Sequence, residues 1–213
     1  MKRYIDRSLE LCYMGYRGNE PTGEISRLLC ECEELLCKIA KPRFIFKVYG
    51  KAECPLPLDS QALERHLEGC DRVILFAATL GNAIDAEIRS LSITDMTKAT
   101  IFDACANAFI ERYGEECDAE LSRLFEGSYL TWRYSPGYEG FDISNQKVLT
   151  ELLDTNRKMG LSASRSLMLT PLKSVTAVIG VSKEPIPQKR RGCAVCDMRE
   201  RCNFRKEGMH CGF

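Results

Sequence analysis

The sequence predicts an α+β domain with a largely antiparallel central sheet flanked by helices, followed by a small cysteine-rich appendage. Three observations lead to that class. Apolar residues recur with helical spacing in several long segments, and they alternate or run together in three shorter ones. The two kinds of segment do not follow each other in the regular order that a doubly wound parallel sheet requires. Four of the twelve cysteines fall within the last 21 residues.

The first clear element is a helix over residues 22–40, where seven apolar residues recur at three- and four-residue steps. Thr22 is a residue type that caps helices, and Pro42 lies just beyond the end. Residues 44–49 alternate and are aromatic and β-branched, which predicts a strand. Residues 60–68 predict a short helix.

A buried strand is predicted over residues 72–81, followed by a helix from about 82 to 90. The TLGN turn between them stands where a helix N-terminus attracts anions. A single glycine does not make a phosphate-binding loop, so the pattern favours an ordinary strand-to-helix turn.

The C-terminal half predicts a long helix over residues 95–124, a second helix over 144–159 and a strand over 174–182. Ser144 is the predicted cap of the second helix, and Gly160 is its predicted terminator. The predicted domain therefore spans residues 1–182. A linker at 183–192 contains two prolines and a basic cluster, and the appendage covers 193–213.

Composition limits the classes of function. Thirty Lys and Arg balance thirty Asp and Glu, so the formal net charge is zero. Such a chain is a poor general binder of nucleic acid or of a membrane surface. No run of 18 apolar residues predicts a spanning helix, and the charged start MKRYIDRSLE lacks the apolar core of a signal peptide. We therefore expect a cytoplasmic protein.

The appendage has the spacing C-x2-C-x5-C-x8-C, formed by Cys193, Cys196, Cys202 and Cys211. A reducing compartment argues against disulfides, and two thiolates two residues apart can hold one metal ion. Both zinc and a 4Fe–4S cluster use four thiolates, and the spacing does not separate them. His210 is an alternative fourth ligand, and a disordered, reduced tail is the alternative to any metal site.

The hexapeptide RYSPGY at residues 133–138 predicts a loop that combines several binding groups. Arg133 can hold a carboxylate with two hydrogen bonds, and Tyr138 offers a ring face to a cation or a flat base. Gly137 allows a ligand to approach the main chain closely. The alternative is a structural turn with a surface arginine and a half-buried tyrosine.

The context of this loop resembles the reactivation domain of cobalamin-dependent methionine synthase. That family carries R-x-A-P-G-Y, then a helix, then G-M-x-L-T-x-S and a strand beginning S-V-S-G. This chain has RYSPGY, a predicted helix that ends in KMGLSAS at 158–164, and LTPLKSVTAV at 169–178. CYMGYRG at 12–18 and FAATLGNAID at 76–85 resemble small stand-alone members of the group in anaerobes.

The resemblance implies an S-adenosylmethionine site and a partner module that holds cobalamin. Arg133 would pair with the methionyl carboxylate. Ser135 stands where the family has alanine, and its backbone would contact the adenosine. Gly137 and Tyr138 would shape the rest of the pocket.

The resemblance further implies the reactivation component of a split cobalamin-dependent methionine synthase, which supports reductive methylation of cob(II)alamin on a corrinoid partner. That partner is a methionine synthase or another corrinoid methyltransferase module, with a one-electron donor. No side chain is assigned a catalytic role, and His66 is predicted to be solvated. The alternative is a non-catalytic zinc-ribbon module that contacts protein or RNA through the basic cluster before Cys193.

Overall fold

The computed structural model describes residues 1–16, 19–58, 60–138, 140–186 and 200–201. The helices within these residues are α1 (Arg7–Tyr13), α2 (Gly23–Ile39), α3 (Gln61–His66), α4 (Asn82–Thr94), α5 (Met96–Leu124), α6 (Asn145–Leu153) and α7 (Thr155–Met159). The strands are β1 (Arg43–Gly50), β2 (Arg72–Thr79), β3 (Tyr129–Leu130), β4 (Ser162–Ala163), β5 (Leu169–Thr170) and β6 (Ser174–Ser182).

The main sheet has four strands in the order β1-β2-β6-β3, and each neighbouring pair is antiparallel. β4 and β5 form a separate two-stranded antiparallel sheet. Helices cover both faces of the main sheet. The predicted α+β class with an antiparallel sheet is therefore confirmed.

Strand alternation divides the interior into two cores, because successive side chains of a strand point to opposite faces. On β2, Ile74 and Phe76 belong to the first core, which α1, α2, α4 and α5 cover. Val73 and Leu75 belong to the second core, which α3, α6 and α7 cover. β6 follows the same rule, with Ile179 in the first core.

The chain continues along the edge of β6 after the short strand β3. Thr131 and Tyr134 donate backbone hydrogen bonds to Gly180 and Val178, at 2.9 Å each, and Val178 donates back to Tyr134 at 2.8 Å. Segment 131–134 therefore lies along β6 as an irregular edge strand, and it carries the RYSPGY motif to the edge of the sheet.

Most predicted elements are confirmed, but the predicted helix over 144–159 is wrong as one piece. It divides into α6 and α7 at Asp154, which has a left-handed φ of 54°. Ser144 makes no side-chain capping bond, whereas Gly160 ends α7 with φ 68° as predicted. The α4 helix runs four residues further than predicted, to Thr94.

Within the described ranges, no helix combines the length and the apolar character that crossing a membrane requires.

Candidate functional site

The RYSPGY motif forms a tight turn beside the edge of the sheet. The backbone N–H of Tyr138 donates to the carbonyl of Ser135 at 3.1 Å, across Pro136 and Gly137. Gly137 has φ +93°, and the combination of Pro second and a positive-φ Gly third is typical of a type II turn. The Gly137 N–H also donates to Phe141 at 2.7 Å, which closes the loop. Gly137 is exposed, so its main chain is accessible to a ligand.

Arg133 points to the face of the sheet that α5 covers. Its neighbour Tyr134 belongs to the second core, so alternation directs the Arg133 side chain to the opposite face. There its Nε lies 3.1 Å from both carboxylate oxygens of Asp118 on α5. Its guanidinium rests over Gly114 of the same helix, where an added Cβ would overlap Nη1. Only 14% of the Arg133 side chain is exposed.

Carboxylates surround this guanidinium. Glu111 lies three residues before Gly114, and Glu115 and Asp118 follow it, so all belong to one side of α5. Burial raises the pKa of the Glu111 carboxyl above its ordinary value; the Arg133 guanidinium opposes that rise, and the Glu115 and Asp118 carboxylates add to it. Glu115 pairs with the exposed Arg112, whereas Glu111 and Asp118 lie beside Arg133.

The polar row on α5 continues toward its N-terminus. Lys173, which precedes β6, extends its ammonium group to Asp103 at 2.6 Å and to Asn107 at 2.7 Å. The Lys173 side chain is 10% exposed, whereas that of Asp103 is 43% exposed, so the lysine is shielded from solvent and its carboxylate partner is not. Lys173 and Arg133 thus hold α5 at two points along the edge of the sheet.

Tyr138 lies on the other face, in a group of aromatic rings. Its ring centroid is 5.6 Å from that of Tyr134 and 6.0 Å from that of Trp132. Since Trp132 and Tyr134 flank Arg133, the Tyr138 ring and the Arg133 side chain stand on opposite sides of segment 131–134. A ligand that contacts both must cross the edge of the sheet at the Pro136–Gly137 turn.

The prediction that His66 is solvated is wrong, because the side chain belongs to this aromatic group. His66 is 5% exposed, and its ring stacks on Tyr134 with centroids 4.7 Å apart. Its Nε2 lies 3.0 Å from the carbonyl oxygen of Trp132 and 2.9 Å from Oγ1 of Thr131. Thr131 Oγ1 in turn accepts the Gly180 N–H at 2.7 Å. His66 therefore supports the segment that carries Arg133.

The TLGN turn begins α4 without a side-chain cap, and Gly81 there has φ +89°. An open cavity of about 300 Å³ lies beside it. Its lining includes four cationic side chains: Lys41, Arg43, Arg157 and Lys158. None of its lining residues comes from segment 131–138. This concave region is therefore lined by a different part of the chain from the RYSPGY loop.

The predicted metal ligands Cys193, Cys196, Cys202 and Cys211 lie outside the described residues. Disulfide bonds join none of the eight cysteines before them, and Cys32 is buried on α2 as its helical spacing predicts. Within the described residues, no group of three or more His, Cys, Asp or Glu side chains is arranged to hold a metal ion.

Sequence patterns do not single out Gly114, Glu111 and Asp118, which lie near Arg133 in the structure. One signal was present: a glycine in the interior of a long helix costs about 1 kcal/mol relative to alanine, so it often has a packing reason. Nothing in the local pattern around residue 114 indicates which distant side chain requires the space.

Comparison with known proteins identifies the fold and the family. The profile of the family described as "Vitamin B12 dependent methionine synthase, activation domain" matches residues 69–185. A solved structure described as "Crystal Structure of the MetH Reactivation Domain bound to AdoHcy" is similar with a TM-score of 0.60. The sequences are 16% identical, and the alignment covers 98% of this chain and 82% of the other. A search of curated proteins found no match.

The matched segment contains β2, α4, α5, the RYSPGY loop and β6, so it includes Arg133 and the helix against which its guanidinium lies. It also covers more than half of the chain. The chain belongs to the family of vitamin B12-dependent methionine synthase activation domains.

Proposed function

We propose that this chain is the S-adenosylmethionine-binding reactivation component of a split cobalamin-dependent methionine synthase. It acts on a corrinoid held by a partner protein, either a methionine synthase or another corrinoid methyltransferase module. In this role the cob(II) form of the partner's corrinoid accepts one electron from a donor. The reduced cobalt then takes the methyl group of S-adenosylmethionine, leaving methylcobalamin and S-adenosylhomocysteine.

Two findings support the ligand class. The chain belongs to the activation-domain family, and the similar solved reactivation domain is described as bound to AdoHcy. S-adenosylhomocysteine carries the same amino-acid and adenosine groups as S-adenosylmethionine, without the methyl group. Arg133, Ser135, Gly137 and Tyr138 are the proposed contacts.

The proposal depends on which hydrogen-bond donors of the Arg133 guanidinium already have an acceptor. Asp118 occupies Nε, while neither Nη1 nor Nη2 donates to an acceptor in the described part of the chain. An arginine has five N–H donors, so a fork of two Nη groups stays available for a carboxylate. The nearby Glu111 and Asp118 carboxylates favour a ligand that also carries ammonium and sulfonium charges.

The chemistry that follows requires positioning and no side-chain base. A sulfonium already activates its methyl group for transfer, so the protein must hold the ligand in line with the acceptor and exclude water. The turn at Gly137 lies exposed at the edge of the sheet, where a partner's corrinoid can approach a bound ligand.

The test is calorimetric titration of S-adenosylmethionine into the protein and into Arg133→Ala. We expect saturable binding that the variant weakens by roughly 2–4 kcal/mol, because a largely buried charged pair with the ligand is lost. Arg123→Ala is the matched control, since Arg123 is an exposed arginine at the end of α5 that pairs with Glu120. Decarboxylated S-adenosylmethionine should bind the wild type as weakly as S-adenosylmethionine binds Arg133→Ala. Equal affinity of the wild type and Arg133→Ala would remove Arg133 from the site.

The partner reaction has its own test. The protein is mixed with a cob(II)-loaded corrinoid methyltransferase module, a chemical one-electron donor and S-adenosylmethionine, and the visible spectrum is followed. We expect methylcobalamin to form only when all components are present. Formation at the same rate without this protein would contradict the proposed role.

A further inference from the structure

Gly114 occupies an unusual place in the molecule: it lies in the interior of the 29-residue helix α5, where alanine is the better helix former. The space above its Cα is filled by the guanidinium of Arg133. An added methyl group would overlap Nη1 and would lie 2.7 Å from both Cζ and Nη2, closer than real carbon contacts allow. The arginine can therefore lie against the helix only because residue 114 has no side chain.

Two residues of α5 define this resting place, which we call the arginine seat: Gly114 together with Asp118. Asp118 lies one helical turn beyond Gly114 and accepts from Nε at 3.1 Å. Because the glycine is buried and the arginine is 14% exposed, the guanidinium is held between α5 and the edge of the sheet.

The backbone of Arg133 is held from the opposite face. His66 stacks on Tyr134 and bonds the carbonyl of Trp132, and Tyr134 exchanges two backbone hydrogen bonds with Val178. The residues on both sides of Arg133 are thus fixed to the sheet. With its backbone fixed, the position of the guanidinium depends on the space that α5 leaves for it.

We propose that Gly114 is a positioning residue of the ligand site, which acts by seating Arg133 so that its two Nη groups face the carboxylate of the ligand. The inference rests on the proposed function for the identity of the ligand, but the seat itself is a property of the protein alone. A guanidinium is the flexible end of its side chain, so a methyl group at position 114 displaces Arg133 and leaves the helix in place.

The first test compares Tm values without ligand in a double-mutant cycle. Its four proteins are the wild type, Gly114→Ala, Arg133→Ala and the double variant. In the Arg133→Ala background the new alanine meets no guanidinium, so better helix propensity should raise Tm by about 2–4 °C. In the wild-type background the displaced arginine should cancel or reverse that gain. Equal changes of Tm in both backgrounds would overturn the proposal.

Gly23→Ala is the matched control, because Gly23 also lies in a helix and an added Cβ there meets nothing within 4 Å. Its effect on Tm should be the same in the wild-type background and in the Arg133→Ala background. If Gly114→Ala alone does not fold, folding of the double variant supports the seat, and failure of both variants contradicts it.

The second test measures binding of S-adenosylmethionine and of S-adenosylhomocysteine to the same four proteins. We expect Gly114→Ala to weaken binding at least tenfold in the wild-type background and to have no further effect when Arg133 is already replaced by alanine. If Gly114→Ala binds the ligand with wild-type affinity while Arg133→Ala binds it weakly, the positioning role of Gly114 is overturned and the proposed function is left intact. Absence of binding to the wild type would overturn the proposed function, and the seat would then be judged by the Tm cycle.

Discussion

Glu10 of α1 is a carboxyl in an environment that penalises its charge. Its side chain is 0% exposed, and the guanidinium of Arg7 lies 3.7 Å away while pairing more closely with Glu33, at 2.6 Å. Burial, with a further contribution from the neighbouring Glu33 carboxyl, raises the pKa of Glu10 to about 8. The folded structure therefore favours the protonated form of Glu10.

This raised pKa predicts a pH-dependent stability with a definite sign. Folded Glu10 keeps its proton up to about pH 8, whereas an unfolded glutamate loses it near pH 4.3. The folded chain binds more protons in between, so the free energy of unfolding should fall as pH rises from about 4.3 to about 8. Glu10→Gln should remove this fall and be more stable than the wild type at pH 8 by up to about 5 kcal/mol, the size that this separation of the pKa values implies. Urea unfolding of the wild type and of Glu10→Gln at pH 5 and pH 8 measures the fall in the free energy of unfolding and its loss in the variant.

The control for that prediction is Glu115→Gln, since Glu115 is an exposed carboxylate that pairs with Arg112 at 2.5 Å. It should retain the wild-type dependence on pH. If wild type and Glu10→Gln differ equally at the two pH values, Glu10 does not titrate in this range.

At the scale of elements, Asp95 lies between two helices, where it ends α4 and caps the start of α5. Its N–H donates to the carbonyl of Leu91 at 2.7 Å and ends α4, while its Oδ1 accepts from the N–H of Lys98 at 2.9 Å and begins α5. Since α5 carries the arginine seat, its start matters for the site as well as for the fold.

Removing this cap should destabilise the protein. Asp95→Ala is expected to lower the free energy of unfolding by about 1 kcal/mol, because the Lys98 N–H loses its acceptor and the start of the helix loses a negative charge. Asp95→Asn keeps the acceptor and should recover most of that loss. Thermal unfolding of the three proteins measures the effect, and an unchanged Tm in Asp95→Ala would show that the cap contributes nothing.

The elements also show where sequence patterns are sufficient. The predicted ranges for α2, β1, β2, α5 and β6 agree with the structure to within about two residues, because each has a strong apolar period and a clear cap or turn at its ends. The break at Asp154 was missed because aspartate only occasionally adopts left-handed φ, and no glycine or proline marks the position.

At the scale of the whole molecule, the sheet places two different groups of side chains on its two faces. The first core buries α5 against the sheet and leaves a polar row at the edge, from Asp103 to Asp118. The second core holds the aromatic group around His66. Segment 131–134 lies between them, so its arginine faces one core while its aromatic rings face the other.

The cysteine-rich appendage provides a prediction for the intact chain. Cys193, Cys196, Cys202 and Cys211 are predicted to hold one metal centre, either zinc or a 4Fe–4S cluster. Anaerobically prepared protein should contain zinc, or iron with labile sulfide, and a variant with all four cysteines changed to serine should lose it. The eight earlier cysteines are the control, because changing exposed Cys30 to serine should leave the metal content unchanged. Metal-free wild-type protein would contradict the prediction.

The sequence by itself determined the class of the fold, the main helices and strands, and the loop that carries Arg133. These features depend on local periodicity, caps and turn residues, which can be recognised within a window of about 20 residues. Only the tertiary structure decided what surrounds that arginine. Gly114 and Asp118 lie 15 to 19 residues away on a helix, and His66 lies 67 residues away on the other face. The pairing of the chain with the edge of β6 brings these groups together, and that pairing depends on long-range packing of two cores.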